Sequence, residues 1–257
     1  AEETFGQIMK SSFAPYRDEL FISTKAGHDM WPGPYGNWGS RKHLMASLDQ
    51  SLKRMNLDYV DVFYSHRYDP DTPLEETLQA LVDIVRKGKA LYVGLSKYPL
   101  DAYLFACHYL RERDVPCLLY QGRYSMLVRE PESQGILNAV KENGSGFVAF
   151  SPLAQGLLTN RYLNGIPDDS RIARGGFLKK EALTPEVLSK IQALNERAAM
   201  RGQSLAEMAL AWLLKNETVT SVIVGASSVE QLGDSLKTLN HLSFEEEELH
   251  AIEKILM

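Results

Sequence analysis

The chain has 257 residues, which is long enough to bury a large core in one domain. With 44% apolar residues, 24% charged residues and a net charge of −5, its composition is typical of a soluble globular protein and argues against binding to nucleic acid or anionic membranes. No apolar run approaches the roughly 20 residues that a helix needs to cross a bilayer, so a membrane protein is also excluded.

Six short runs rich in Val, Ile, Leu, Phe and Tyr predict β-strands. Most of them do not alternate strictly with polar residues, which is typical of strands covered on both faces in a parallel sheet. In chain order the predicted strands are residues 20–24, 59–65, 90–95, 117–120, 146–150 and 221–224.

Helical patterns lie between these strands. Residues 1–12 read as the interior of a helix, and residues 40–55 carry an apolar stripe at helical spacing. Capping signatures predict further helix starts at Thr72 (with Pro73 at the first helical position and Glu75), Thr184, Ser204 (with Glu207), Ser228 (with Gln231) and Ser243 (with Glu246). Gly88 is a predicted stop for the helix that begins near Thr72.

Strands that alternate with helices predict an α/β fold, either a doubly wound open sheet or a closed barrel. No GxGxxG motif follows a strand, so the dinucleotide fingerprint of the doubly wound fold is missing. We therefore predict a TIM (β/α)8 barrel forming a single domain over residues 1–257. Two strands are missing from the count, and we expect the N-terminal hairpin, strand 1, helix 1 and strand 2 to precede residue 1. The long connection 159–183 is expected at the catalytic mouth.

Polar residues follow each apolar strand and are expected on one rim, since barrel chemistry lies at the carboxyl ends of the strands. They are Lys25, His66, Ser96, Lys97, Gln121, Ser151, Gly225, Ala226 and Ser227. Each has a simple structural interpretation: a solvated charge for Lys25, a hydrogen-bonded loop residue for His66, and helix caps for most of the others. Their joint occurrence favours a functional rim.

Several segments resemble the aldo-keto reductase family. They are residues 22–27 (ISTKAG), 64–67 (YSHR), 94–96 (GLS), 150–157 (FSPLAQGL) and 223–227 (IVGAS). Residues 29–36 (DMWPGPYG) and 162–171 (YLNGIPDDSR) resemble one branch of the family, the bacterial L-glyceraldehyde 3-phosphate reductases and the potassium-channel β subunits.

The resemblance implies a catalytic Asp-Tyr-Lys-His tetrad in which Lys25 and His66 supply the last two members. Tyr donates a proton to the carbonyl oxygen, and a nearby ammonium lowers the high pKa of the phenol. His holds the carbonyl oxygen. The Asp and the Tyr are expected upstream of residue 1.

The resemblance also implies a bound NADP(H). Positions matching the family's nicotinamide contacts are Ser96, Lys97 and Gln121, and those matching the pyrophosphate loop are Phe150, Ser151, Pro152, Leu153, Ala154, Gln155 and Gly156. Arg161 and Arg171 are expected near phosphates, and Gly225, Ser227, Gln231, Asp234 and Ser235 near the adenosine. The local cations favour NADP(H) over NAD(H), because the 2′-phosphate needs countercharge.

Substrate contacts are expected from Trp31 and Trp38 in the loop after the first strand, and from Arg67, which we expect to meet a substrate phosphate or to pair with an acidic neighbour. The aromatic residues could instead pack that loop on the rim. The predicted activity is NADPH-dependent reduction of small aldehydes or ketones such as L-glyceraldehyde 3-phosphate or methylglyoxal.

Two other functions stay open: an NADP(H)-sensing regulatory subunit like the channel β subunits, and a barrel lyase or isomerase that acts on phosphosugars. We expect no metal site, because neither Cys107 nor Cys117 has metal-ligand spacing. The two cysteines and the lack of a signal-peptide pattern predict a cytoplasmic location, and the resemblance implies a homo-oligomer.

Overall fold

A computed structural model describes residues 1–168, 170, 172–175 and 178–257 of the chain. These residues form two compact units. Unit 1 comprises residues 1–121 and 135–146, and unit 2 comprises residues 122–134 and 147–257. Six strands are found in the described residues, interleaved with helices, so the predicted α/β class is confirmed. The assignment of one domain to residues 1–257 stays a prediction.

Unit 1 is built on parallel strands that pair in chain order: β1 (Ser23–Ala26), β2 (Val60–Ser65), β3 (Ala90–Ser96) and β4 (Cys117–Arg123). All six residues of β2 are buried, as expected for a strand covered on both faces. Sequential pairing without reversal is the strand order of a barrel rather than of a doubly wound sheet, and the fold is consistent with the predicted (β/α)8 barrel.

One register row crosses the strands of unit 1. Lys25 on β1 lies beside Tyr64 on β2, which lies beside Gly94 on β3. A Cβ atom at Gly94 would come within 2.3 Å of the Tyr64 ring and 3.1 Å of the Leu119 carbonyl oxygen. The Tyr64 ring therefore occupies the space that a side chain at position 94 would need.

The helices of unit 1 are α1 (Glu2–Ile8), α2 (Arg41–Met55), α3 (Leu74–Arg86), α4 (Leu100–Arg111) and α6 (Ile136–Glu142). A π-helical turn, Met9–Phe13, and a 3₁₀ turn, Ala14–Glu19, follow α1. Helix α1 lies very close to the end of α2, because a Cβ atom at Gly6 would be 2.3 Å from the Arg54 carbonyl oxygen.

Unit 2 contains α5 (Glu130–Ser133), β5 (Gly146–Phe150), α7 (Pro185–Met200), α8 (Leu205–Leu214), β6 (Val219–Ile223), α9 (Val229–Lys237) and α10 (Glu246–Leu256). Strands β5 and β6 are parallel. In the described residues, 3₁₀ turns that join these elements are Ala154–Gly156, Asn160–Tyr162, Lys180–Ala182 and Thr238–Asn240. The predicted mouth connection 159–183 includes residues 169, 171, 176 and 177, which lie outside the described residues.

Some predicted helix starts are confirmed and two are wrong. Ser204 and Glu207 form a capping box, and the Thr184 hydroxyl accepts a hydrogen bond from the Val187 N–H. Thr72 does not cap α3, because its hydroxyl donates to Asp69 at 2.7 Å and Pro73 takes the cap position. Ser243 is displaced by Glu245, which forms the capping box of α10 with Glu248.

The first predicted strand is shifted. Residues 20–22 were expected within it, but β1 begins at Ser23. The preceding 3₁₀ turn ends only at Glu19, and the Ile22 N–H donates to the Asp61 carboxylate at 2.8 Å rather than to a strand carbonyl. The Asp61 side chain on β2 thus accepts the hydrogen bond of the Ile22 N–H, which sequence periodicity assigned to the sheet.

Candidate active site

Lys25 and His66 are presented by neighbouring parallel strands. Lys25 lies in β1, and His66 directly follows the last residue of β2. The His66 N–H donates to the Ala26 carbonyl oxygen at 2.8 Å, which extends the sheet pairing past Ser65. The two residues predicted to be catalytic therefore stand side by side at the carboxyl ends of their strands.

The Lys25 side chain is partly buried. Its ammonium lies 5.9 Å from the centroid of the Tyr64 ring, and no carboxylate pairs with it among the residues that the structure describes. Burial lowers the pKa of the Lys25 ammonium, and the positive charge of Lys97 lowers it further. Lys25 is thus a partly desolvated cation that a nearby phenolate or carboxylate would stabilise.

His66 is neutral at physiological pH. Burial is the main cause that lowers its pKa to about 3, and the charges of Lys25, His28, Lys97 and Arg67 act in the same direction. A neutral imidazole has one N–H, which can donate a hydrogen bond to a carbonyl oxygen without transferring its proton.

His28 belongs to the same group of side chains, although sequence analysis did not single it out. Its ring meets the His66 ring edge-on, with centroids 4.5 Å apart and planes at 89°. The Lys97 ammonium donates to His28 Nε2 at 3.3 Å. In the sequence His28 stands two residues beyond the end of β1. That position does not reveal that the loop brings its ring to His66 and Lys97.

Two of the three predicted substrate residues contact each other. The Arg67 guanidinium lies 3.6 Å from the Trp38 ring centroid and donates to the Gly27 carbonyl oxygen and to Asn37 Oδ1, both at 2.7 Å. No acidic neighbour pairs with Arg67 in the described part of the chain. Trp31 instead contacts the His43 ring of α2 at 5.1 Å, so the packing interpretation of the aromatic loop applies best to Trp31.

The predicted nicotinamide contacts lie on β3 and β4. Ser96 ends β3 beside Gln121 in the sheet register, and the Lys97 N–H donates to the Gln121 carbonyl oxygen at 3.2 Å. The Ser96 hydroxyl is buried without a hydrogen-bond partner among the described atoms. The Gln121 side chain lies near the Tyr64 hydroxyl and partly opposes the rise that burial causes in the pKa of that hydroxyl.

In unit 2 the predicted phosphate loop turns sharply after β5. Positive φ angles occur at Ser151 (54°), Ala154 (46°), Gln155 (60°) and Gly156 (101°). Successive backbone N–H groups in turns that combine right-handed and left-handed residues form concave arrays that bind anions in many proteins. The loop containing Phe150, Ser151, Pro152, Leu153, Ala154, Gln155 and Gly156 therefore has a backbone suited to a phosphate.

The predicted adenosine contacts surround the start of α9. The Ser228 hydroxyl caps the helix by accepting from the Gln231 N–H, and Gln231 Oε1 accepts from both the N–H and the hydroxyl of Ser227 at 2.9 Å. Ser235 donates to the Gln231 carbonyl oxygen, and Asp234 pairs with Lys237 at 2.7 Å. Gly225 lies just after β6 and is exposed.

Arg161 and Arg171 are the two arginines predicted to contact cofactor phosphates, and the structure describes the first of them. Arg161 is an exposed residue of the 3₁₀ turn Asn160–Tyr162. Arg171 lies outside the described residues, so its predicted role has no structural account.

The profile of the Aldo/keto reductase family matches residues 1–257. The chain belongs to the aldo/keto reductase family. It is 55% identical to L-glyceraldehyde 3-phosphate reductase of Escherichia coli O157:H7 over 99% of this chain and 75% of that protein. Identity is 54% to the protein of the same name in Escherichia coli K12, with the same coverage. It is 37% identical to a probable voltage-gated potassium channel subunit beta of Arabidopsis thaliana, over 93% of this chain and 74% of that protein.

Membership of the aldo/keto reductase family makes the chain an oxidoreductase, and reductases of this family generally use nicotinamide cofactors. The residues present fit such a group. A carboxamide beside Ser96 would give the buried, unpartnered hydroxyl a hydrogen bond, and an unsatisfied buried hydroxyl otherwise carries an uncompensated desolvation cost.

Tyr124 occupies a position that the family resemblance places against the nicotinamide face, and that role stays a prediction. In the structure Tyr124 is 2% exposed, its ring packs against Phe147 and Trp212, and its hydroxyl donates to Glu132. Tyr124 is therefore a core residue of unit 2.

The described ranges of the chain contain no group of three or more His, Cys, Asp or Glu side chains arranged to hold a metal ion. Among the helices of the same ranges, none combines the length and apolar character that a membrane crossing requires.

Proposed function

We propose that this aldo/keto reductase reduces small aldehydes or ketones to alcohols with NADPH, and that its substrates are L-glyceraldehyde 3-phosphate or aldehydes like methylglyoxal. The observation that carries the proposal is the pairing of a partly buried ammonium, Lys25, with a neutral imidazole, His66, on adjacent strand ends. The names of two relatives that are more than half identical to the chain support the substrate class.

The roles of the two residues follow from their charge states. The N–H of neutral His66 donates to the carbonyl oxygen, which orients the substrate and stabilises the negative charge that develops on that oxygen. Lys25 stays cationic and lowers the pKa of a phenol beside it, so that the phenol gives its proton to the same oxygen. When bound, NADPH supplies the hydride that the carbonyl carbon accepts.

The phenol is assigned to a tyrosine upstream of residue 1. Tyr64 lies against Lys25 but is a poor acid, because burial raises the pKa of its hydroxyl. Tyr98 shares a hydrogen bond with Ser65 at 2.8 Å, and burial raises its pKa as well. The upstream tyrosine, with an acidic partner for Lys25, completes the proposed tetrad.

NADP(H) is favoured by the proposed anion contacts. Ser96, Lys97 and Gln121 are assigned to the nicotinamide side in unit 1. The loop from Phe150 to Gly156, the residues Arg161 and Arg171, and the start of α9 with Gly225, Ser227, Gln231, Asp234 and Ser235 are assigned to the phosphates and adenosine. The N-terminus of α9 favours an anion through its free N–H groups and the helix dipole.

The direct test is NADPH consumption by the full-length protein with methylglyoxal and with glyceraldehyde 3-phosphate. We expect turnover with both, a strong preference for NADPH over NADH, and loss of turnover when Lys25 is replaced by Met. Bound NADPH without turnover of any carbonyl compound would favour the sensing role instead. A homo-oligomeric state and a cytoplasmic location remain proposals from sequence.

A further inference from the structure

Two cations next to His66 are held in place by uncharged partners. Arg67 is fixed by the Gly27 carbonyl, the Asn37 amide and the face of Trp38. Lys97 is fixed by His28, whose ring in turn abuts His66. In the described part of the chain, each cation is therefore oriented without a carboxylate partner that would neutralise it.

Among the residues that the structure describes, no carboxylate forms an ion pair with Lys25, Lys97 or Arg67 in this cluster. The pKa values of Lys25, His28, Lys97 and His66 are all lowered, first by burial and then by charges within the same cluster. Only Asp29 acts in the opposite direction, and it acts on His28. Unit 1 thus holds several cations close enough to repel one another, and an anion bound among them would relieve that repulsion.

The chemistry of the cluster fits a phosphate group. A guanidinium presents a planar fork that can bind two oxygens of a phosphate, and an ammonium adds a compact charge for a third oxygen. Exposed Lys97 and partly buried Arg67 flank His66, the residue assigned to the carbonyl oxygen. A small substrate with a carbonyl at one end and a phosphate at the other fits this arrangement.

We infer that Arg67 and Lys97 form a binding site for the phosphate group of a phosphorylated carbonyl substrate, with Trp38 and His28 as the positioning residues of the two cations. The inference rests on the proposed reductase function and deepens it, because it selects phosphorylated over neutral aldehydes. It also assigns the Lys97 side chain to the substrate, while the Lys97 backbone stays paired with Gln121.

The kinetic test compares glyceraldehyde 3-phosphate with unphosphorylated glyceraldehyde in the full-length enzyme. For Lys97→Met we expect the ratio of the two kcat/KM values to fall about tenfold, which is the loss of one hydrogen bond to a charged group. The fall should appear in KM for the phosphorylated aldehyde, with KM for unphosphorylated glyceraldehyde changed much less. Lys42→Met is the matched control, since Lys42 lies on the Tyr35 ring of the neighbouring loop and outside the site.

His28 requires a variant pair. His28→Gln keeps an acceptor for the Lys97 ammonium and should retain most of the selectivity, whereas His28→Leu should lose it through the KM of the phosphorylated aldehyde. If His28 were only a packing residue, the apolar leucine would be tolerated as well as glutamine.

A binding measurement separates this site from the reductase activity. Inorganic phosphate is titrated into the protein without cofactor and followed by calorimetry, and we expect weak binding that Lys97→Met lowers about tenfold and Lys42→Met leaves unchanged. Turnover of both aldehydes with an unchanged ratio in Lys97→Met would overturn the site and leave the reductase intact. A rise in KM for NADPH instead would assign the cations to a dinucleotide phosphate and also overturn it. Phosphate binding lost in Lys97→Met without any turnover would keep the anion site and remove the reductase function.

Discussion

The imidazole of His66 meets His28 edge-on at 4.5 Å, inside a group of cations that also includes Lys25, Lys97 and Arg67. Such surroundings disfavour a positive charge on either imidazole ring. The catalytic proposal therefore depends on a histidine that stays neutral, and this has consequences for how the protein responds to acid.

We predict that His66 makes the protein more sensitive to acid. The pKa of His66 is about 3 in the folded protein, against about 6.5 for an unperturbed histidine. Below about pH 6.5 the unfolded chain takes up a proton that the folded state refuses, so stability falls progressively from there towards pH 3. Urea unfolding at pH 7.5 and pH 5 should show a larger loss of unfolding free energy for the unmodified protein than for His66→Gln.

The comparison with His66→Gln isolates the contribution of His66. His28 and His43 also have lowered pKa values and remain in both proteins, so their contributions largely cancel. Equal losses for the two proteins between the two pH values would show that His66 is not held neutral by its surroundings.

Replacing Lys25 by Met should remove at least about a hundredfold of kcat, the usual scale of proton-transfer assistance. Methionine keeps most of the length and apolar stem of lysine, so β1 and its contact with Tyr64 should persist. Steady-state kinetics and a thermal melt test this together. The control is Lys87→Met at the exposed C-cap of α3, which should leave kcat unchanged. Full activity of Lys25→Met would contradict the proposed mechanism.

The Ser96 hydroxyl should have opposite effects on stability and on cofactor binding. Ser96→Ala removes a buried hydroxyl that has no partner among the described atoms, so the cofactor-free protein should become more stable by up to about 1 kcal/mol. NADPH binding should weaken about threefold to tenfold, because the carboxamide loses one hydrogen bond. Chemical unfolding and a fluorescence titration measure the two effects.

Ser125→Ala is the matched control for Ser96. The Ser125 hydroxyl is also buried and unpartnered in the described part of the chain, but it lies outside the proposed cofactor contacts. It should raise stability in the same way without changing NADPH affinity. Weakened NADPH binding in both variants would point to a general structural cause.

Two glycines in helices should respond oppositely to alanine. At Gly6 in α1 a Cβ atom would collide with the backbone of Arg54 and Met55, so Gly6→Ala should destabilise the protein by about 1–3 kcal/mol. At Gly233 in α9 an added Cβ atom would have no atom within 4 Å outside its own stretch of helix. Gly233→Ala should therefore stabilise the protein by up to about 1 kcal/mol through helix propensity. Denaturant midpoints decide the signs, and a stabilised Gly6→Ala variant would rule out the close approach of α1 and α2.

Sequence periodicity predicts a strand well where burial on both faces makes its run of apolar residues continuous. All six residues of β2 are buried, and its predicted range is off by only one residue. The prediction is shifted at β1, where the Ile22 carbonyl pairs with β2 but the Ile22 N–H donates to the Asp61 side chain. It fails at Thr72, whose hydroxyl serves Asp69 rather than the helix. In each case a side-chain hydrogen bond replaces the one that the local pattern predicts. Local sequence patterns carry no information about partners that are distant in the sequence or outside the helix.

The site was predicted to the extent that strand ends carry it. Lys25, His66, Ser96 and Gln121 all lie at or next to the carboxyl ends of parallel strands, where the alternation of strands and helices places them. The role of His28 was missed, because its contacts with Lys97 and His66 span 69 and 38 residues of sequence through an irregular loop. A pattern confined to neighbouring residues carries no information about such a contact.

The register row from Lys25 through Tyr64 to Gly94 links the catalytic lysine to a position on β3. The Tyr64 ring lies against a position without a side chain, and the ammonium of Lys25 lies 5.9 Å from the centroid of the same ring. A single added methyl group at position 94 would push the ring outward and tilt the lysine with it. The position of Lys25 on β1 therefore depends on the absence of a side chain at position 94 of β3.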